Sequence, residues 1–403
     1  MSCDKTIELL EEFAKEFPNF SAEVESLCIN LKYCGDASCQ AIYDAFLRAH
    51  HDFKCSLEQF KSKKIAKEAK KLGRYFSVYT VPRHLHERLN IQGDRQMQVW
   101  KDTLMSLPLY TSALPQFDKA FIASARRIWR QRVCGNEDVL EVMLSHAAEY
   151  CQTGKTTPIL LAGPPGIGKS LAAKCYAKLL GLPCVSLSGP NEALNRGLAG
   201  DPTVYVGSGP GAIASAMIST GTGSPVILID ELDKAGKQFS NKSSFHSELL
   251  SVLDDNSTHW KDNYLEIELD ASHIPFVFTA NDIELIPQPL LDRMDIIHMH
   301  TPDRDTLYSI IKGQAFPELL EIYSCHLIRV SPGTPEALVD KLWDLGCRSC
   351  RPYLKATKNL ISNSFLIATE SESLTTITQA DAISAAEKAS CIQAGQRRAI
   401  GFA

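Results

Sequence analysis

The chain has 403 residues, 44% of them hydrophobic and 22% charged, with a formal net charge of -5. That length predicts two or three domains, each able to bury its own core, and the nearly balanced charge creates no global field that would demand a nucleic acid or an anionic membrane. The first twelve residues carry acids where a signal peptide would carry a basic start and an apolar run, and no stretch approaches ~18 consecutive apolar residues, so a cytoplasmic protein with no membrane partner is expected.

Residues 1–115 read as a mainly helical N-terminal region. Ile7, Leu9, Leu10, Phe13 and Phe17 recur at helix-compatible spacing, and Ala41 to Leu47 gives a second helical stretch. Cys34, Cys39, His50, His51 and Cys55 form a loose cluster whose irregular spacing makes zinc the weaker reading there. From Lys61 to Arg74 seven basic residues face one acid, Glu68, a run that could track phosphates. It lacks interleaved aromatics, so a solvated helix face is the favoured reading and a nucleic-acid contact the weaker one. Pro108 and Pro115 bracket an expected linker.

Residues 116–302 read as an α/β core. The apolar, β-rich runs 157–162, 224–229 and 274–279 are separated by helical stretches, which predicts parallel strands covered on both faces. Residues 303–403 turn helical again, with segments at 302–314, 335–345 and 351–368 and a last helix capped near Thr378 by Asp381, three residues on. This is a helical lid with a short tail. Cys347 and Cys350 have metal-like spacing but no further ligands near them in sequence. Thirteen cysteines, scattered and odd in number, read as reduced thiols.

Four motifs in fixed order carry the chemistry. Gly163, Pro164, Pro165, Gly166, Ile167, Gly168, Lys169 and Ser170 fit the phosphate-binding pattern G-x-x-x-x-G-K-[ST]. The Gly and Pro residues let backbone N–H groups turn inward at a helix N-terminus, where the dipole favours anions. Lys169 is expected on the β- and γ-phosphates of ATP, and Ser170 on Mg²⁺. The run ending in Ile229 delivers Asp230 and Glu231 to the C-terminal edge of the sheet, Asp230 as the second Mg²⁺ residue and Glu231 as the base for the attacking water. Asn281 ends the next strand where an amide can position water or sense the γ-phosphate. Arg293, after Pro289 to Asp292, is expected to reach a neighbouring subunit's nucleotide, which implies a head-to-tail interface and a closed ring.

With these motifs placed, residues 133 to about 380 resemble the ATPase module of Lon proteases in the AAA+ superfamily. The likeness extends to the phrases Asp230 to Lys234, Glu248 to Asp254, Tyr264 to Asp270 and Ile286 to Met294. It implies an AAA+ P-loop core with a helical lid, MgATP hydrolysis and a homo-oligomeric ring, a hexamer in this reading. Asn281 then takes the role of the first sensor, Arg293 that of the arginine finger and Arg348 that of the lid's sensor arginine, while the turn Val133 to Gly135 would line the adenine pocket. The resemblance further makes Tyr205 and Val206 the first pore loop, flanked by Gly207, Gly209 and Gly211, and Trp260 a second pore aromatic, both acting on an extended polypeptide. Three departures stand out, the first being that the helical N-terminal region does not resemble the β-rich substrate-binding domain that opens many Lon chains. The sequence has no peptidase segment after the lid, so peptide hydrolysis by this chain alone is not expected, and Arg351 stands where Lon-like sequences usually carry an acid. The reading is therefore an unfoldase or remodeller. Alternatives are a nucleic-acid-associated ATPase, a nucleotide switch, or a subunit serving a separate peptidase.

Overall fold

The computed structural model describes residues 3–32, 75–79, 95–133, 135–189, 197–205, 207–235, 244–323, 327–371 and 373–400. The basic run at 61–74, the cluster at 34–55, the stretch 41–47 and Val206 lie outside the described residues. In chain order the strands are β1 (Ile159–Ala162), β2 (Cys184–Ser188), β3 (Val226–Asp230), β4 (Trp260–Asp262), β5 (Ile267–Leu269), β6 (Phe276–Ala280), β7 (Asp295–His298), β8 (Ile328–Val330) and β9 (Thr375–Ile377).

The chain divides into two compact units. The larger holds residues 115–198, 225–256 and 274–403. Its sheet has the order β2-β3-β6-β1-β7 with every neighbour parallel. All residues of β1 and β6 and the first four of β3 are buried, the pattern of strands covered on both faces. The three apolar runs of the sequence become β1, β3 and β6, displaced by one or two residues. Parallel order brings the C-terminal ends of these strands to one edge, which is where ligands bind in open α/β sheets. The parallel sheet, its helices and its phosphate loop make this an AAA P-loop fold.

The lid belongs to the same unit. Its helices are Arg304–Ile310, which runs through a π-helical turn (Ile311–Ala315) into Phe316–Ile322, then Thr334–Asp344, Cys350–Ser371 and Gln379–Ile400. Leu307, Ile311, Leu338, Leu342, Tyr353, Ile361, Ile377 and Ala386 close a core of their own, tied by the parallel pair β8–β9. The capping pair is present: Asp381 Oδ2 accepts from Thr378 N at 2.8 Å and from Thr378 Oγ1 at 2.7 Å.

The smaller unit holds residues 1–114, 199–224 and 257–273. Helices Cys3–Glu16 and Ser21–Lys32 pack through Ile7, Leu10, Phe13, Val24, Leu27 and Leu31. Helix Arg95–Met105 is followed by a segment that the sequence suggests as a linker, yet it is built into the unit. Val78 N donates to Leu109 O, Thr111 N to Phe76 O and Gly223 N to Tyr110 O, and Leu107, Thr111 and Leu114 are buried. Proline marks the bends here, but hydrogen bonds between backbones distant in sequence fix the path.

Candidate active site

Strand β1 runs into the loop from Gly163 to Ser170, and the helix Lys169–Leu180 starts inside the motif behind Gly168. Lys169 is buried, and its Nζ donates to Gly163 O (2.6 Å), Pro164 O (2.8 Å) and Asn281 Oδ1 (2.8 Å). Burial pushes its ammonium below the usual lysine range. Asp233 and Asp230 pull it back up, Arg351 adds to the depression, and Glu231 opposes it weakly. The lysine and Asn281, named separately from the sequence, are therefore one hydrogen-bonded pair.

Ser170 Oγ donates to both oxygens of Asp230, at 3.0 and 2.9 Å. A hydroxyl and a carboxylate converging beside a phosphate loop are the hard oxygen donors that Mg²⁺ takes, with its remaining positions left to phosphate and water. Thr279 Oγ1 donates to Asp230 Oδ1 and accepts from Glu231 N (3.1 Å). This threonine, in the motif ending at Asn281, fixes both acids at the end of β3. The sequence motif contains it without showing that task. Glu231 has φ +59°, a left-handed conformation that costs a non-glycine residue about 1–3 kcal/mol and persists where neighbours over-determine it. Its carboxylate meets Lys234 Nζ at 2.5 Å.

Asp233 was not singled out from the sequence. It is buried, its Oδ1 has no hydrogen-bond partner among the described residues, and it is the carboxylate that most supports the charge of Lys169. In sequence it reads only as one acid of an acidic turn.

Most of these groups, though not Asp233 or Lys234, line one cavity of about 380 Å³, within the range of small-molecule pockets. Lys169, Ser170, Asp230, Glu231, Thr279 and Asn281 give it polar lining. Val133, Ile310, Ala315 and Leu354 add apolar lining, and Arg132, Gln314 and Glu318 line it as well. Of the turn expected to line an adenine pocket, Val133 lines this cavity, while Cys134 lies outside the described residues. The turn is pinned by Trp129 Nε1 donating to Gly135 O (2.9 Å) and His300 N donating to Asn136 Oδ1 (2.7 Å). The π-helical turn re-aims Gln314 and Ala315 toward the cavity, a frequent use of such turns at functional sites.

Arg348 is not brought to this cavity. It stacks on the Trp343 ring, 3.8 Å from the centroid, and donates to Trp343 O (2.7 Å) and Cys347 O (3.3 Å). The lid arginine that lines the cavity is Arg351. The cause is where the helix begins. Cys350 N donates to Gly166 O at 2.9 Å, which anchors the first turn of Cys350–Ser371 on the phosphate loop. Gly166 has φ +80°, and a Cβ there would come within 3.2 Å of Arg351 Cγ and Cδ, so a side chain at this position would both strain the backbone and press on Arg351. Arg293 lies outside the cavity lining. It is two-thirds covered, donating to Pro289 O (2.8 Å) and meeting Asp254 Oδ2 at 3.4 Å.

In the smaller unit Tyr205 and Val204 are exposed, at 63% and 80%. Trp260 is the reverse. It is 5% exposed, the first residue of the β4–β5 hairpin, with its Nε1 unbonded among the described residues. A side chain so placed cannot grip a polypeptide. An aromatic beside polar residues in sequence is here a core residue of a short hairpin. Cys347 is buried and Cys350 half-buried, and no group of three or more His, Cys, Asp or Glu able to hold a metal occurs among the described residues. No described helix is long and apolar enough to cross a membrane.

Residues 159–301 match the family described as ATPase family associated with various cellular activities (AAA). The chain is similar to Lon protease of Methanosarcina barkeri, 32% identical over 268 residues covering 65% of this chain and 33% of the relative. It is also similar to Lon protease of Clostridium acetobutylicum, 34% identical over 230 residues covering 56% of this chain and 29% of the relative. The chain thus spans about a third of the length of these relatives. Among solved structures, a RuvB mutant of Thermotoga maritima covers 63% of this chain and 69% of its own at 19% identity, with a TM-score of 0.43. The matched segment is thus an AAA module similar to the corresponding part of Lon proteases.

Proposed function

We propose that this protein binds and hydrolyses MgATP in a head-to-tail ring and uses the cycle to pull on polypeptide through the exposed loop bearing Tyr205. The observation that carries the nucleotide reading is the convergence on one cavity of Lys169 with Asn281 and of Ser170 with Asp230, with Glu231 beside them. Lys169 binds the phosphates, exchanging loop carbonyls for phosphate oxygens while Asn281 keeps its Nζ aimed into the cavity. Ser170 and Asp230 would hold Mg²⁺, which neutralises charge on the β- and γ-phosphates when bound. Glu231 orients a water and takes its proton. To do so its carboxylate leaves Lys234. Arg351 supplies positive charge from the lid, and Arg293, outside its own chain's cavity, is free to serve an adjoining one. The apolar lining of the cavity takes the base.

The polypeptide reading rests on the exposure of Val204 and Tyr205 and on the family likeness. Steady-state MgATP hydrolysis by the full chain, with and without an unfolded polypeptide, tests both. Hydrolysis should be stimulated by the polypeptide, Glu231→Gln should reduce it about 10²-fold or more, and Tyr205→Ala should lose the stimulation. Hydrolysis by Glu231→Gln at the parent rate would remove Glu231 as the base, and stimulation surviving in Tyr205→Ala would remove the loop as the gripping element.

A further inference from the structure

Asp262, the last residue of β4, is fully buried. Its carboxylate takes three backbone N–H groups: Oδ1 from Tyr264 (3.0 Å) and Leu265 (2.8 Å), Oδ2 from Gly211 (2.9 Å). The first two close the turn of its own hairpin. The third does something else. Gly211 is the N-cap of helix Ala212–Thr220 and the far end of the loop that presents Val204 and Tyr205. The neighbouring residue, Asn263, holds the near end: its N donates to Ala199 O (2.7 Å) and its Nδ2 to Gly200 O (3.2 Å). Two consecutive side chains of one turn therefore grip both limbs of one loop.

The neck between those limbs is narrow. Gly200 has φ +77°, and a Cβ there would fall 2.5 Å from Gly211 N and 2.9 Å from Gly209 O. Asp201 N donates to Gly209 O at 3.2 Å. Beyond the neck, Tyr205 N donates to Pro202 O and Ser208 N to Tyr205 O, each at 3.2 Å, so the tip is folded into turns. Further ties reach the loop from the same unit: Gln96 Nε2 donates to Thr203 O (2.8 Å), and Thr203 Oγ1 meets Glu266 Oε1 (3.3 Å). The helix that carries Gln96 also braces the hairpin, with Trp100 Nε1 donating to Tyr264 O (2.9 Å). A buried carboxylate is costly unless its hydrogen bonds are complete, and burial does push Asp262 up, to about 6, against those three donors. An apolar side chain would fill the space without that cost. What the carboxylate supplies is a strong acceptor shared by two segments 51 residues apart.

We propose that Asp262, assisted by Asn263, is a positioning residue that clamps the neck of the 199–211 loop and so presents Val204 and Tyr205 to an extended polypeptide. The proposal rests on the polypeptide reading above for its last clause only. The clamp itself is independent of what the loop grips. Pull on Tyr205 would pass through Gly211 and Asp262 into β4 rather than stretch a free loop.

Two readouts on the full chain test it, with Asp262→Asn and, because a buried substitution can fail to fold, the exposed change Asn263→Ala. The first is the rate of chymotryptic cleavage after Tyr205, which should rise about tenfold in Asp262→Asn and less in Asn263→Ala if hydrogen bonds of 1–2 kcal/mol close the loop. The second is the ratio of polypeptide-stimulated to basal ATP hydrolysis, which should fall in both, with the half-saturating polypeptide concentration raised and the KM for ATP held. Parent-like cleavage in both variants overturns the clamp. Faster cleavage with an intact ratio, while Tyr205→Ala loses its stimulation, overturns the presenting role. Stimulation that survives in Tyr205→Ala overturns the polypeptide reading instead and leaves the clamp to stand on the cleavage rates.

Discussion

Glu231 and Arg351 show how single side chains at this site are set by what surrounds them. Glu231 is held at φ +59° by Thr279 and paired with Lys234, so the base function proposed for it requires that its carboxylate leave that partner. Arg351 is placed by the bond from Cys350 N to Gly166 O and by the absence of a Cβ on Gly166. Arg348, three residues earlier, is occupied by the face of Trp343 and two carbonyls. The two arginines therefore predict different losses. Arg351→Ala should lower kcat about 10- to 100-fold, the worth of a charge-assisted bond made in the transition state. Arg348→Ala should act mainly through lid stability, since it removes packing on Trp343, and should leave kcat within about threefold at a temperature where both variants are folded. Steady-state kinetics with a thermal melt of each protein separates them; a larger kcat loss in Arg348→Ala would return the sensing role to it.

At the scale of elements, the strands that carry chemistry were the legible ones. β1, β3 and β6 are buried on both faces and leave unbroken apolar runs, and each run points at its motif. β2 is an edge strand with no buried residue, and β7 has four residues of which one is buried, so neither leaves a run to read. The π-helical turn, the start of Cys350–Ser371 and the burial of Trp260 depend on contacts between segments far apart in sequence, and these contacts place Arg348 and Trp260 away from the positions that the family resemblance implies for them. The hairpin β4–β5 gives a pH prediction of its own. Asp262 has its folded value raised to about 6 from an ordinary 3.8, so between those values the folded state binds more protons than the unfolded one. Its contribution to stability is fully present below the unfolded value and is lost as pH rises through about 6. Asp262→Asn has no such term. The stability difference, parent minus variant, should therefore grow as pH falls from 7 toward 5 in paired urea titrations. A difference that stays flat over that range would mean that Asp262 titrates as an ordinary carboxylate.

At the scale of the whole molecule, the nucleotide cavity contains Lys169, Asp230, Glu231, Asn281 and Arg351 but not Arg293. Arg293 is held at the end of the core by Pro289 O and by Asp254, contacts that fix its position while leaving a third of its side chain exposed. If it completes the site of an adjoining copy, the interface is heterologous and each cavity depends on two chains. Lys169→Ala should remove the proposed nucleotide binding but keep Arg293. Arg293→Ala keeps the cavity but, as a lost arginine finger, should hydrolyse about 10³-fold more slowly. Mixed in equal amounts and allowed to exchange, the two should regain hydrolysis that neither has alone, because an intact cavity then meets an intact arginine at some of the interfaces. The regained rate should fall on dilution, as subunits part. A mixture that hydrolyses only at the mean of its two parents at every concentration would mean that Arg293 acts within its own chain, and with it the physical case for a ring would lose its principal residue.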